Sequence, residues 1–504
     1  MKRLTIYTTL IFNILHICSL NAQEDKKTYA RTISISQFIK ELQDTSKVSV
    51  VIRNTNIEAD PLTDKIYTYG AENNNSILNW DSILQTYPKI AINREVNLLD
   101  IRVGPRTILP NMTFKKSVHI ERFEVFNDLS FRNCVFEDLV YCVNTSAYFF
   151  RFLNCQFNYY FNLESIGAEE IIIEDCTMKQ GINVYQNDEP LNMSFGNNKV
   201  NGSSFFQSVK GGGRLLIYGS TFTSKRRDRA ITIGSLGSLD RLSLIQDTFL
   251  MPLNLAGSII KDNFMVNKCS FTDRNAFTNI NLPESNTYAR WDLFKNEKFG
   301  VAINDSTYYN AKSVISTERE DEYYALIKVY SQFLRAYKNN GDQESYNACY
   351  IEMKDIQTRK AAFNFQKDRT LNNYFDWKLN RFLKIFCDYG TNPVKALIMS
   401  VWVIITFGLL YFIFPSEGTA FQPKLFWNAL NNYKSRKTQL KTQSKTGLKQ
   451  MLNAMALSMN AFVTLGYGDM PARGIARYLA VFEGLTGWFL LSIFSSSLIS
   501  QILQ

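Results

Sequence analysis

The sequence predicts a multidomain protein: a right-handed parallel β-helix solenoid, an α-helical hairpin that forms a neck, and an all-α membrane domain. Short apolar runs recur every 21–22 residues between about 111 and 271, with one longer step near 246, and this period is typical of solenoids. From about 317 the apolar spacing changes to three and four residues, which predicts helices. Two uncharged apolar segments near the C-terminus are long enough to span a bilayer. We expect the solenoid at 30–300, the neck at 308–390 and the membrane domain at 391–504.

Composition narrows the function classes. Of the 504 residues 45% are apolar and the net charge is +10, which excludes a disordered chain. Much of the basic charge lies near the last two apolar segments, as in membrane proteins with basic flanks, so we expect no nucleic-acid partner. The two histidines, His16 and His119, are too few for a His-based metal site or catalytic triad.

The N-terminus predicts a signal peptide over residues 1–22. Lys2 and Arg3 precede an apolar run, and "LNAQ" supplies small residues for cleavage near Ala22 or Gln23. An uncleaved first membrane helix is the alternative, because about 17 apolar residues barely span a bilayer. Both interpretations export the chain that follows. Without Cys18 seven cysteines remain, and an odd number without a tight cluster argues against a disulfide scaffold.

A four-residue pattern marks each coil of the predicted solenoid. It occurs as "NMTF" at 111–114, "NCVF" at 133–136, "NCQF" at 154–157, "DCTM" at 175–178, "NNKV" at 197–200, "GSTF" at 219–222, "DTFL" near 247–250 and "KCSF" at 268–271. Short Ile/Leu/Phe-rich runs broken by Gly and Asn predict three strands per coil. The amphipathic segment "SISQFIKELQ" at 34–43 is expected to cap the open end.

The cysteines and acids of the solenoid raise two chemical functions, a metal or disulfide site and a glycan enzyme. Cys134, Cys155 and Cys176 are expected to stack in one inward column, which is either a metal or disulfide ladder or a column of small buried side chains. The second is favoured, because no acidic or histidine ligand joins them at metal-ligand spacing. A β-helix glycan enzyme needs clustered acids. The acids present are scattered along the solenoid, so we expect no enzyme. They are Asp175, Asp228, Asp240 and Asp247.

The neck is predicted to be a helical hairpin followed by an interfacial helix. Thr317 and Glu320 form a capping box at the start of the first helix, and "KNNGD" is the turn before the second. The segment 372–390 combines aromatic and basic residues directly before an apolar span, which favours a helix in the membrane interface over an ordinary packed helix.

The last 110 residues contain two predicted spans with a short helix between them. Ala396–Phe414 has no charge, and the second span runs from Ile475 to the C-terminus. Between them a basic loop at 416–450 precedes "MLNAMALSMNAFV", which is too short to cross a bilayer and predicts a re-entrant helix.

The sequence after that helix, Thr464-Leu465-Gly466-Tyr467-Gly468-Asp469, predicts an ion-binding element. The two glycines allow successive backbone carbonyls to point the same way. Aligned carbonyls and the Thr464 hydroxyl can replace the hydration shell of a cation. One chain supplies one wall of such a conduit, so a homotetramer is implied.

Residues 392–504 resemble the two-transmembrane potassium channels, whose filter signature is Thr-x-Gly-Tyr-Gly-Asp. The resemblance implies that Thr464, Leu465, Gly466, Tyr467 and Gly468 line the filter, with permeant K⁺ at the first four and no other cofactor. It places Asp469 behind the outer end of the filter, and Gly487 at the gating hinge. The segment "CDYGTNPVKAL" is similar to that of bacterial channels that carry a β-helix or pentapeptide-like solenoid on a helical neck.

The chain departs from the family at four positions near the filter. Leu465 replaces the commoner Val, and Asn460 stands where many relatives have an acid bonded to the filter Asp. Ala456 and Leu457 replace aromatics that brace the filter Tyr, which bears on filter stability. Glu483 is a charge inside the second span. It either bonds the back of the re-entrant helix or titrates in the cavity, and its closeness to Gly487 favours the bond.

The pore has either the family orientation or an inverted one, and two observations favour the inverted pore. The family keeps both termini in the cytoplasm. A signal peptide would instead put the β-helix outside, and the 416–450 loop has seven Lys/Arg against one acid, which favours a cytoplasmic loop. The β-helix is therefore expected in the periplasm if the signal peptide functions, and otherwise in the cytoplasm.

The sequence thus predicts a tetrameric potassium-selective channel in the bacterial inner membrane. It has several passes through the lipid bilayer and carries a large soluble sensor or scaffold domain that binds an unknown ligand. The alternative is a membrane-anchored β-helix binding or adhesion protein with a non-conducting or weakly selective pore.

Overall fold

The computed structural model describes residues 29–44, 46, 48–58, 87–104, 106–226, 229–234, 237–272, 275–296, 298–303, 307–310, 320–414, 437–464 and 474–502. The predicted signal peptide, Thr317 of the predicted capping box and Asp228 lie outside these ranges. The chain divides into two units, Met1–Asn275 and Ala276–Gln504.

The first unit is the predicted parallel β-solenoid, with about ten turns. Helix α1 (Ile35–Gln43) packs against its first strands, and its buried residues Ile35, Phe38 and Leu42 confirm the amphipathic pattern. The Ser34 hydroxyl accepts the Gln37 N–H (3.1 Å) and so caps the helix.

The strands of the solenoid are β1 Arg31–Ser34, β2 Ser49–Glu58, β3 Ile90–Ile92, β4 Glu95–Val103, β5 Thr107–Pro110, β6 Met112–Phe114, β7 Val118–Val125, β8 Asp128–Arg132, β9 Val135–Phe136, β10 Val140–Val143, β11 Ser146–Leu153, β12 Gln156–Phe157, β13 Phe161–Glu164, β14 Gly167–Glu174, β15 Thr177–Met178, β16 Ile182–Gln186, β17 Met193–Gly196, β18 Lys199–Asn201, β19 Ser204–Ser208, β20 Arg214–Tyr218, β21 Thr221–Thr223, β22 Ile231–Ile233, β23 Ser238–Ile245, β24 Thr248–Phe249, β25 Leu253–Asn254 and β26 Ile259–Asn267.

The strands come in threes, as predicted, and pair in parallel with the same strand of the next coil. In the coil β10–β11–β12, Val140 pairs with Phe161, Phe150 with Ile171 and Phe157 with Met178, each 21 residues further along the chain. The shortest strand of each coil belongs to an eight-stranded sheet that runs from β3 to β24. Side chains alternate between the buried interior and the outside, so every coil contributes to one continuous core.

The recurring four-residue pattern has a structural reason at its first and last positions. Its first residue is left-handed, with φ of 56° at Asn111, 54° at Asn133 and 52° at Asn154. Asn tolerates this conformation better than most residues. Asn133 Nδ2 also donates to Asn111 Oδ1 (2.6 Å) in the preceding coil. The fourth residue is buried and stacks between coils: the rings of Phe114 and Phe136 are parallel, with centroids 5.0 Å apart.

The second residue of the pattern forms an inward column. Cys134, Cys155 and Cys176 are buried free thiols, as the interpretation as small buried side chains predicts. Their Sγ atoms donate to backbone carbonyls, for example from Cys155 to Phe131 O (3.4 Å).

Polar residues continue this column in the later coils. Asn198 Oδ1 accepts the N–H of Cys176 (2.8 Å), Ser220 Oγ accepts that of Asn198 (3.1 Å), and Asp247 Oδ1 accepts that of Ser220 (2.8 Å). A buried N–H without a partner is costly, so each side chain stabilises the coil before it. The predicted position of one repeat, "DTFL" near 247–250, is wrong by one residue. Phe222 pairs with Phe249, so the pattern is "QDTF" at 246–249, after a coil 27 residues long.

Four short strands follow β26 in the chain: β27 (Asn275–Ala276), β28 (Thr287–Ala289), β29 (Phe299–Ile303) and β30 (Thr307–Asn310), of which the last three belong to the second unit. A 3-10 turn, Trp291–Leu293, follows β28. The helices of this unit, in the residues described, are α2 Glu320–Asn340, α3 Gln343–Lys367, α4 Leu371–Cys387, α5 Pro393–Ile413, α6 Lys437–Thr464 and α7 Ile475–Ile502.

Helices α2 and α3 form the predicted hairpin. Gly341 provides the turn with φ of 68°, and the Asp342 carboxylate caps α3 by accepting the Ser345 N–H (3.1 Å). The hairpin packs on the 3-10 turn through a buried aromatic cluster of Trp291, Phe333 and Tyr337. Helix α4 covers most of the predicted interfacial segment and is capped by Thr370.

Asp247 gives the solenoid a dependence on pH. It is 1% exposed, and burial raises the pKa of its carboxyl to about 7 from 3.8. A raised pKa in the folded state stabilises the fold below about pH 4 and loses that contribution as pH rises through 7. The shift of about three pKa units corresponds to about 4 kcal/mol.

We therefore expect the thermal midpoint of the full chain in detergent, followed by its β-sheet circular dichroism, to fall between pH 4.5 and 7.5. Asp247→Asn should flatten this fall, because Asn198 occupies the same column position in a neutral form. The control Asp240→Asn changes a half-exposed carboxylate and should keep the wild-type slope. Equal slopes in wild type and Asp247→Asn would show that Asp247 does not titrate in this range.

Candidate functional site

Helices α5, α6 and α7 form the candidate site. Two of them are long and apolar enough to cross a membrane, over Pro393–Ile413 and Ile475–Ile499. Only 22% and 28% of these segments is buried within the chain, so most of their surface is available to lipid or to other copies. Large apolar side chains are exposed on α7, including Tyr478 (78%) and Trp488.

Helix α6 leads directly into the predicted filter. It ends at Thr464, and Leu465, Gly466, Tyr467, Gly468 and Asp469 lie outside the described residues. The helix begins at Lys437, 14 residues before the expected start at Met451. The basic residues predicted a loop, and this prediction is wrong over 437–450, because charge alone does not break a helix and these residues contain no proline. Asn460 is half-buried in the last turns of α6.

Small residues bring the three helices into close contact. On α6, Ala454, Ser458 and Ala461 are buried at a spacing of four and three residues. A Cβ built on Gly408 of α5 would lie 2.5 Å from Met455 Sδ of α6. A Cβ built on Gly487 of α7 would lie 2.2 Å from the Phe462 carbonyl oxygen.

Gly487 therefore lets α7 approach the backbone of α6 within one turn of Thr464, a contact that no larger residue permits. Its predicted role as a gating hinge stays a prediction.

A buried carboxylate joins all three helices. Glu483 of α7 is fully buried, and its two carboxylate oxygens accept hydrogen bonds from Tyr411 Oη of α5 (2.7 Å) and from Ser458 Oγ of α6 (2.5 Å). Ser458 Oγ also lies 2.8 Å from Ile404 O of α5. Buried carboxylates in a membrane domain need such partners, because lipid offers none. Glu483 thus bonds the helix that leads to the filter, as one of the two interpretations of this residue expects.

Sequence reasoning missed Tyr411, Ser458 and Gly408. Their signal was spacing: Ala396, Ser400, Gly408 and Tyr411 mark one buried face of α5, and the buried small residues of α6 and α7 recur at intervals of three and four. That face of α7 comprises Ala476, Ala480, Glu483 and Gly487.

Three of the four acids considered for a glycan enzyme lie in the described residues, at separate places in the solenoid. Asp247 is sealed in the inward column, Asp175 occupies the left-handed turn position with φ of 55°, and Asp240 accepts the Gly213 N–H (2.9 Å). Among the described residues no group of three or more His, Cys, Asp or Glu side chains is placed to hold a metal ion.

Comparison with known proteins assigns the C-terminal part of the chain. Residues 403–504 match the family model described as an ion channel. This range contains most of α5 and all of α6 and α7. Searches of curated proteins and of solved structures gave no match. The molecule is thus a parallel β-solenoid followed by helices, with a C-terminal ion channel domain that carries two candidate membrane helices.

Gly487→Ala should destabilise the channel domain far more than Gly408→Ala. The new methyl group at 487 meets a backbone oxygen that cannot move aside, whereas the one at 408 meets mainly a flexible thioether. We expect Gly487→Ala to lower the temperature at which half of the detergent-solubilised full chain leaves the monodisperse gel-filtration peak, and Gly408→Ala to lower it less. Equal losses would mean that the α6–α7 contact yields as readily as the α5–α6 contact.

Glu483→Ala should cost more stability than Glu483→Gln in the same assay. Alanine leaves the Tyr411 hydroxyl buried without its acceptor, at about 1–3 kcal/mol, whereas the Ser458 hydroxyl keeps Ile404 O as an acceptor. Glutamine keeps one acceptor oxygen. The control Thr486→Ala removes a hydroxyl that bonds only its own helix, at Phe482 O (2.8 Å), and should match wild type. If Glu483→Ala also matched wild type, the three-helix contact would not depend on this carboxylate.

Proposed function

Because residues 403–504 form an ion channel domain, we propose that the chain is one subunit of a tetrameric potassium-selective channel. The observation that carries this proposal is the position of Thr464-Leu465-Gly466-Tyr467-Gly468. Thr464 is the last residue of α6 and the other four follow it in the sequence, and α6 is fixed to both candidate spans by the contacts of Glu483, Gly487 and Gly408.

Each part of that sequence has a role in the proposed mechanism. Backbone carbonyls of Thr464, Leu465, Gly466 and Tyr467, with the Thr464 hydroxyl, replace the hydration shell of K⁺. Four copies are needed to close the ring around an ion. The exposed apolar faces of α5 and α7 fit both neighbouring copies and lipid.

The β-solenoid serves in this proposal as a sensor or scaffold for the pore, with a ligand whose class is open. The location of the solenoid depends on whether residues 1–22 are a working signal peptide. If residues 1–22 are cleaved after export, the solenoid lies in the periplasm of a bacterial inner membrane and the pore is inverted relative to the family; otherwise the solenoid is cytoplasmic.

The alternative function is a membrane-anchored binding or adhesion protein whose pore conducts weakly or without selectivity. The two functions differ in ion flux. We expect purified full-length protein in liposomes to conduct K⁺ at least about 100-fold better than Na⁺. Equal permeability would exclude selectivity, and a tetramer without flux would support the alternative.

Gly466→Ala provides the test at the filter. A methyl group at this glycine obstructs the alignment of carbonyls and should abolish K⁺ selectivity or flux. The control Thr406→Ala lies in the first span, where its hydroxyl bonds only Trp402 O of the same helix (2.8 Å), and should conduct as wild type. A Gly466→Ala variant with wild-type selectivity would place the ion path elsewhere.

Orientation has its own experiment. An epitope tag inserted near Gln443, in the segment between the spans, is exposed to protease in intact spheroplasts if the pore has the family orientation. We expect protection until the membrane is opened, because the signal peptide and the basic residues at 416–450 both favour a cytoplasmic position. Cleavage from outside would mean that residues 1–22 are not a working export signal.

A further inference from the structure

The turn between α4 and α5 has a conformation that contacts from elsewhere must hold. Asp388, Tyr389 and Gly390 are three consecutive left-handed residues, with φ of 48°, 60° and 92°. This conformation costs about 1–2 kcal/mol at a residue with a Cβ atom. Two such residues in sequence, one of them a bulky tyrosine, mark a position that the surrounding structure determines.

One side of the turn is fixed to the neck. Tyr389 Oη donates to Asp355 Oδ1 of α3 (2.8 Å) and lies 2.9 Å from Thr358 Oγ1 of the same helix. The other carboxylate oxygen of Asp355 accepts from Lys384 Nζ of α4 (2.7 Å). A single carboxylate of α3 thus holds both the turn and the helix before it.

The other side of the turn is fixed to the end of the second span. Ser497 of α7 is 3% exposed, and its Oγ donates to the Gly390 carbonyl oxygen (2.6 Å). Lys395 Nζ in the first turn of α5 donates to Asp388 Oδ1 (2.6 Å). The turn therefore contacts the neck helix α3 and both candidate spans at once.

Helix α3 is itself anchored one turn before Asp355. Its Glu352 accepts from Trp291 Nε1 (3.3 Å) in the 3-10 turn and from Tyr330 Oη of α2 (2.9 Å). Glu352 and Asp355 are three residues apart, so they lie on neighbouring positions of one helix face. Side-chain hydrogen bonds, together with the backbone of α3 and of the turn, thus connect Trp291 to Ser497.

The space beside the turn leaves room for displacement. A cavity of ≈ 460 Å³ lies between α3, the turn and α7. Its lining includes Tyr346 and Tyr350 of α3 and Ser492 and Ser496 of α7. The Ser497–Gly390 bond therefore joins the end of α7 to the turn about one to two turns beyond the apolar contacts of Leu490, Ile493 and Phe494.

We propose that the turn Asp388–Gly390 is the joint through which the neck helix α3 positions the C-terminal end of α7 and so controls opening of the pore. Tyr389 and Ser497 are its positioning residues. The proposal rests on the proposed channel function, in which α7 lines the pore. A displacement of α3 then moves the end of α7 through two hydrogen bonds, and loss of either bond releases that end from the neck.

The test is a double-mutant cycle on the open probability of the full-length protein in planar bilayers. Tyr389→Phe removes the hydroxyl that binds Asp355, and Ser497→Ala removes the hydroxyl that binds Gly390. Each should change the ratio of open to closed channels by about five-fold or more, in the same direction. The double variant should differ from the stronger single variant by less than about two-fold, because both substitutions break one path.

Matched controls remove hydroxyls of the same kind outside the path. Tyr346 lines the cavity from α3, and Ser492 Oγ donates to Trp488 O of its own helix (2.8 Å). Tyr346→Phe and Ser492→Ala should stay within about two-fold of wild type. The proposal is overturned if Tyr389→Phe and Ser497→Ala behave like these controls, or if their effects multiply in the double variant.

A second measurement separates this proposal from the channel function. Hydrogen–deuterium exchange of the peptide that covers 495–502 should become about five-fold faster in Tyr389→Phe and unchanged in Tyr346→Phe. If the wild type conducts no ions, the proposed function fails. Hydrogen exchange alone then tests whether the turn couples α3 to the end of α7. Unchanged exchange at the α7 end would overturn the joint whatever the conductance, and Ser497→Ala gives the same readout if Tyr389→Phe fails to fold.

Discussion

The Glu483 carboxylate is the interaction on which the described part of the channel domain most depends. It is fully buried where three helices meet, and both of its oxygens accept hydrogen bonds from the other two helices. In the core of a bilayer no water is available to replace a missing protein partner, so a polar group without one is costly. These hydrogen bonds therefore fix the rotation of α7 about its axis and the position of α6 along its axis. They also fix the position of Thr464, the last residue of α6. Gly487 and Gly408 make the contact possible by letting backbones approach.

The solenoid obeys the same constraint in an aqueous setting. Each coil buries some of its backbone N–H groups. A side chain of the next coil accepts their hydrogen bonds, as Asn198 does for Cys176. The left-handed residue before that position sets the turn, and the stacked Phe after it fills the core. A repeat of four letters thus encodes a turn, a hydrogen-bond acceptor and a packing contact.

Local patterns predicted most of the elements. The solenoid period, the cap helix α1, the hairpin turn at Gly341 and the two spans follow from spacing and turn chemistry that a sequence displays directly. The start of α6 at Lys437 was not predicted, because a run of basic residues is as compatible with a helix as with a loop. The coil from 219 to 246 misled the register by one residue, since its extra length lies between two otherwise regular repeats.

The contacts that join elements were not predictable in the same way. Tyr411 and Glu483 are 72 residues apart, and Gly390 and Ser497 are 107 apart. Their meeting depends on how each helix is rotated, which packing decides and no single helix encodes. The direct measurement of the central claim is a structure of the purified full-length protein grown in Rb⁺, with anomalous scattering recorded. We expect four copies around one axis, with anomalous peaks on that axis between Thr464 and Tyr467. An assembly without fourfold symmetry, or without a peak on its axis, would contradict the potassium-channel account.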